Sequence, residues 1–174
     1  VEKSKAYGLI CNGLTEAGFR NIKATLKYLI SSNDPLKNLY LRYLYIHSFI
    51  GYHFNRRLDL VEMMIHKKSG DCSELTEFNL QLSRTAGLSQ SDIYLAARNN
   101  EPCMHAFIVE KIGDTCYAHG QYKITKNKNF VRAVREHLTT KDNYNRRILI
   151  KKQNPKLPYL DVDLKGFTEL GNPD

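Results

Sequence analysis

An α+β fold, helices first and an antiparallel sheet after them, is what this sequence predicts, and three observations predict it. Up to Gly87 the apolar residues recur at roughly helical intervals, whereas from Ile93 to Lys151 they fall in short β-branched and aromatic runs. The two regimes meet at Ser69-Gly-Asp-Cys-Ser-Glu, a helix-start signal whose helix has an apolar stripe to bury against that sheet.

From Lys5 to Ser31, residues Leu9, Ile10, Leu14, Ala17, Ile22, Leu26 and Leu29 fit one or two helices, broken at Gly13 and Gly18. Asn33-Asp-Pro is a stop and restart, since Asp caps and Pro suits the first helical turn. It predicts a helix from Leu36 to Tyr52, rich in Leu and Tyr all round and therefore central. His53 to Asp59 reads as a loop and Leu60 to Ile65 as a short helix.

Asp71 with Glu74 three residues on forms a capping box that puts Cys72 at the first helical position. Leu75, Phe78, Leu82 and Ala86 then line one face, and Gly87 supplies the stop. Ile93 to Ala97, Met104 to Lys111 and Thr115 to Tyr122 read as strands, the last two forming a hairpin across Gly113-Asp114. Phe130 to Leu138 suits a helix and Arg146 to Lys151 a further strand. Asn154 to Asp174, punctuated by three prolines and two glycines, reads as irregular.

A chain of 174 residues suits one domain with a substantial core, helical over about 1–88, sheet over about 92–152 and irregular over 153–174. The apolar runs are interrupted by Arg42, His47, Lys151 and Lys152, so no membrane span is predicted. The start at Val1, with neither Met nor a secretion signal, reads as a piece of a longer protein and assigns no compartment. A soluble protein, cytoplasmic or a secreted effector, is the expectation.

Cys11, Cys72, Cys103 and Cys116 show no paired spacing and are expected to be free thiols without zinc. Asp161 and Asp163 alone approach an acidic cluster and read as solvated, so no metal and no cofactor is expected. A net charge of +8 would attract acidic proteins, anionic lipid or polysaccharide, or nucleic acid, and by itself selects none of them. The lysines and arginines are scattered and lack interleaved aromatics, which argues against stable nucleic-acid binding.

The chemistry concentrates on two residues. A cysteine nucleophile needs a thiolate, and a helix N-terminus supplies unsatisfied N–H groups and positive potential that favour one. Cys72 has that position, with Gly70 leaving room for a substrate backbone. His105 opens the apolar run Met104-His-Ala-Phe-Ile-Val-Glu, where an imidazole without a role is costly to bury. Together they supply the nucleophile and base of a cysteine enzyme.

These stretches carry a resemblance. Ser69-Gly-Asp-Cys-Ser-Glu-Leu-Thr-Glu-Phe, then Ala86-Gly-Leu, then Met104-His-Ala-Phe-Ile-Val-Glu resembles the transglutaminase-like (papain-related) superfamily of peptidases, deamidases, transglutaminases and peptide N-glycanases. Upstream, Tyr45 to Phe54 and Leu60-Val-Glu-Met-Met-Ile resemble the family's preceding segments, so the likeness covers about residues 42 to 122. It implies a papain-like fold, a helix bearing the nucleophile Cys72 packed on an antiparallel sheet, His105 as base, and an amide or peptide bond as substrate.

The family's third residue is an Asp that orients the histidine, and here His119 occupies the matching position. A histidine can accept the N–H of His105 but brings no fixed negative charge. If residues 112 to 114 make the turn, which is the preferred arrangement, His119 stands opposite Phe107 and shares a face with His105, with Gln121 as the fallback. If only Gly113 and Asp114 turn, His119 moves to the other face. For an oxyanion, the backbone N–H of Cys72 is the first donor, and His53, Asn55 or Tyr52 the candidates for a second.

The expected function is therefore a cysteine hydrolase or acyltransferase acting on a protein or peptide, possibly acidic, through a thioester at Cys72. The rival is an inactive transglutaminase-like binding module, and a weaker one a basic nucleic-acid binder.

Overall fold

In the computed structural model, which describes residues 22–53, 64–65, 67–98, 104–120, 123–153 and 166–172, the Asp34 carboxylate accepts the N–H of Leu36 and Pro35 begins a helix. That helix runs Pro35–Phe49 (α2), after a shorter one at Ile22–Leu29 (α1). The rest of the N-terminal helical expectation lies outside the described residues.

The second helix ends earlier than its composition predicts. Ile50 already has an extended backbone, and Gly51–Tyr52 (β1) pairs in parallel with Ser69–Gly70 (β2). A long-range pairing has overridden local helical pattern. Helical backbone at 64–65 and 67 agrees with the end of the short helix expected before the cysteine.

The capping box starts the helix Cys72–Ala86 (α3) as expected, and Gly87 ends it in the left-handed region at φ 68°. Next come Gln90–Arg98 (β3), Met104–Ile112 (β4), Thr115–His119 (β5), Thr125–Asn127 (β6), the helix Phe130–Leu138 (α4), a 3₁₀ turn at Lys141–Asn143, Ile148–Lys152 (β7) and Thr168–Glu169 (β8). β6 lies in a lysine-rich stretch with no strand signal, and it forms because Thr125 and its neighbours pair with β5.

Among the described residues these strands make a six-stranded sheet in the order β6-β5-β4-β3-β7-β8, every adjacent pair antiparallel. Its two faces carry different helices. Leu80 of α3 packs with Ile93 and Ile108 on one face, and α1 and α2 lie against α3 through Leu29, Leu41, Tyr45, Leu75 and Phe78. On the other face Ala133 and Val134 of α4 pack with Phe107, Val109, Cys116 and Ala118. The chain is thus mixed α+β with a capped helix lying on an antiparallel sheet.

The tail is less irregular than its prolines predict. Arg135 of α4 donates to the carbonyls of Tyr144, Arg146, Leu170 and Gly171, and Leu170 is buried beside Ile148. One buried guanidinium thereby fixes β8 at the sheet edge, a tertiary effect that local composition does not contain.

Candidate active site

Cys72 owes its place to a fully satisfied helix start. The Asp71 carboxylate accepts the N–H groups of Ser73 and Glu74 at 2.9 and 3.1 Å, and Glu74 accepts the N–H of Asp71 at 2.9 Å. Both carboxylates are buried. One turn on, the Thr76 hydroxyl donates to the Cys72 carbonyl at 2.5 Å.

Gly70 serves packing. A Cβ there would stand 2.8 Å from the Met64 sulfur, so the missing side chain admits Met64, whereas the sequence suggested room for a substrate. The β1–β2 pairing also brings the 51–53 segment to this turn: Gly51 donates to the Lys68 carbonyl at 2.9 Å and His53 to that of Gly70 at 3.0 Å. Of the candidate second oxyanion donors, Tyr52 and His53 therefore lie beside Gly70, two residues before Cys72, with Tyr52 50% exposed. Asn55 lies outside the described residues.

The Cys72 sulfur, half-buried, lies near the backbone N–H of Ala106, which favours its thiolate. Ala106 directly follows His105 in β4, and successive strand residues face opposite sides of the sheet, so the sulfur meets the strand from the face of α3 while the His105 ring lies on the face of α4. Burial pushes the thiol pKa up, the Asp71 charge adds to that, and the donors from Ala106 and Ser73 only partly oppose it. The expectation of a thiolate favoured by the helix N-terminus is corrected accordingly. Asp71 has already claimed N–H groups of the first turn and set a negative charge beside the sulfur, so the resting group is a thiol.

The His105 ring lies among aromatic rings: its centroid is 6.3 Å from that of Phe107 and 6.0 Å from that of His137 in α4. It occupies the sheet face that α4 covers, as its spacing of two from Phe107 requires.

His119 is elsewhere. Ile112 pairs with Thr115 and Ile108 with His119, so two residues make the hairpin turn and the preferred three-residue register is overturned. Gly113, at φ 61°, makes the tight turn possible. With Ile108 opposite it, His119 belongs to the face of α3, opposite that of His105. There its Nε2 lies 3.2 Å from Glu110 Oε2, with the residue 2% exposed, and the catalytic role expected for it loses its geometric basis. Gln121, the fallback, lies outside the described residues.

The partners of His119 form a buried polar network. Arg42 of α2, 1% exposed, donates to Glu110 Oε2 at 2.6 Å and to Asn79 Oδ1 at 3.1 Å. Ser83 and Ser89 donate to Glu110 Oε1 at 3.1 and 2.5 Å, and Ser83 also bonds Ser91. Burial alone would raise the Glu110 pKa, but the His119 hydrogen bond and the Arg42 charge hold it down at about 2. Burial lowers the pKa of His119, so Arg42 is the cation of this cluster and His119 a neutral donor. The sequence offered a signal for it: Arg42 and Glu110 each interrupt an apolar run, and two such charges are affordable inside only as a pair.

His137 stands beside His105. It continues the stripe Phe130, Ala133, Val134 at helical spacing and so faces the sheet. Glu136 and Thr139, on either side of it, help line a cavity of about 570 Å³ together with Lys123, Thr125 and Tyr144.

Cys72 and Cys116 are free thiols, and Cys11 and Cys103 lie outside the described residues. Among the described residues no group of three His, Cys, Asp or Glu side chains is placed to hold a metal, and no helix is long and apolar enough to cross a membrane.

No family model, curated protein or solved structure matches this chain.

Proposed function

We propose that the protein is a transglutaminase-like, papain-related cysteine hydrolase or acyltransferase, with Cys72 as nucleophile and His105 as general base. The observation that carries the reading is the capping box that starts α3 at Cys72, with that helix packed on β4, the strand that bears the candidate base. The motifs around Cys72 and His105 resemble that superfamily, and an α+β architecture with the cysteine helix on an antiparallel sheet is compatible with its fold.

In the proposed cycle, the His105 ring, near the start of β4, reaches round the strand end to take the Cys72 proton as the sulfur attacks an amide carbonyl carbon. The C–N bond breaks, the proton goes to the departing amine, and a thioester remains. Water hydrolyses it in a protease or deamidase; an amine displaces it in a transglutaminase. Because the resting thiol is protonated, proton removal belongs to the attack itself. The backbone N–H of Cys72 and the Tyr52–His53 segment are the proposed oxyanion side. The net charge of +8 favours an acidic protein or peptide as substrate.

The raised thiol pKa favours one second reading, a binding module of the same architecture that does no chemistry. The rate of Cys72 alkylation by iodoacetamide, followed by peptide mass spectrometry, separates the two. The enzyme reading expects labelling faster than at Cys11, Cys103 or Cys116 and a fall of roughly 10²–10⁴-fold in His105→Ala. Labelling that ignores the histidine supports the module.

A further inference from the structure

The buried side-chain nitrogens Nδ1 and Nε2 of His137 have no hydrogen-bond partner among the described residues, although the residue as a whole is only partly buried. Leaving such a group unpaired is costly, and the residue's neighbours, the apolar Phe107 at 5.6 Å between ring centroids and the His105 ring at 6.0 Å, would suit a phenyl ring better. A retained cost at a site facing the proposed base calls for a function.

We infer that His137 is the positioning residue for His105, accepting an N–H of its ring once a substrate is bound, in the place that the hairpin register denies to His119. The inference rests on the cysteine-hydrolase reading above. The separation of the two rings is a little longer than that of imidazoles sharing an N–H···N bond, as fits a contact that tightens only in the substrate complex. The planes are inclined by 26°, so closure needs a modest side-chain rotation. Neutral His137 is the competent form, and its surroundings keep it neutral: burial is the largest cause, with His105, His119 and Lys123 all disfavouring a further positive charge. The Lys123 ammonium, from the segment before β6, is held by the Glu136 and Thr139 carbonyls, which ties down the last turn of α4, the turn that carries His137.

The test compares Cys72 alkylation by iodoacetamide, and by a peptide carrying a chloroacetamide, in the full chain with His137→Phe and His137→Gln. Phe keeps the ring and its packing but cannot accept a hydrogen bond; Gln keeps an acceptor. Expected is a higher thermal midpoint for His137→Phe together with labelling slowed roughly 10–100-fold, the range for residues that orient another group, and recovery of most of the rate in His137→Gln. Should Phe fail to fold, His137→Leu takes its place in the comparison with Gln. Equal rates in the wild type and the variant without an acceptor, while His105→Ala remains slow, overturn the positioning role alone. Should His105→Ala itself label as fast as wild type, the hydrolase reading falls and the role of His137 with it.

Discussion

His119 and Glu110 face each other at 3.2 Å on the side of the sheet opposite His105, inside a cluster closed by Arg42. That relationship separates two histidines that the sequence paired, and puts one of them in a buried ion-pair cluster.

Reactivity and stability should therefore part company in His119→Leu, which cannot donate to Glu110. The variant is expected to unfold at lower urea concentration, because Glu110 loses a buried partner, while Cys72 alkylation stays close to wild type. A large loss of alkylation rate at unchanged stability would return His119 to the catalytic set.

Removing one charge of the buried pair leaves the other uncompensated. Arg42→Met should cost about 3–5 kcal/mol, whereas Arg42→Met combined with Glu110→Gln should recover a good part of it. Urea unfolding of the three variants measures this, and a double variant no better than the single one would show that the carboxylate is not the origin of the cost.

Acid should weaken the fold in two stages. His119 and His137 have folded-state pKa values below their ordinary 6.5, so the unfolded chain binds protons first and stability falls as pH drops below about 6.5. Glu110 has its pKa lowered from 4.5 to about 2, so its contribution is present above about 4.5 and lost as pH falls toward 2. Urea midpoints measured between pH 8 and pH 3 should decline across both windows, and His137→Phe should flatten the upper one. A midpoint that rises on acidification contradicts the assignment.

Asp71 caps the nucleophile helix and also holds the Cys72 thiol pKa up, second to burial among the causes that raise it. Asn caps about as well and carries no charge. Asp71→Asn should leave unfolding nearly unchanged and move the pH midpoint of Cys72 alkylation downward. An unmoved midpoint would mean that burial alone sets the acidity.

Local chemistry was enough to write the helix at Cys72, because Asp71, Glu74 and Gly87 satisfy its ends within a few residues and its stripe of Leu75, Phe78 and Leu82 has one period. The same is true of the helix Phe130–Leu138 and of the strands flanking Gly113, so the α+β class, and the placing of Cys72 and His105 on a helix start and a strand start, were set by short-range pattern. What crosses the sheet was not. Whether His119 shares a face with His105 turns on one residue in a hairpin, since each strand residue reverses side and two turn lengths fit the same letters. The pairing of β1 with β2, the docking of Arg42 on Glu110, the anchoring of β8 by Arg135 and the meeting of His137 with His105 each join residues far apart in the chain. Their energy comes from shared burial, which no local window contains, and so only the tertiary structure could decide them.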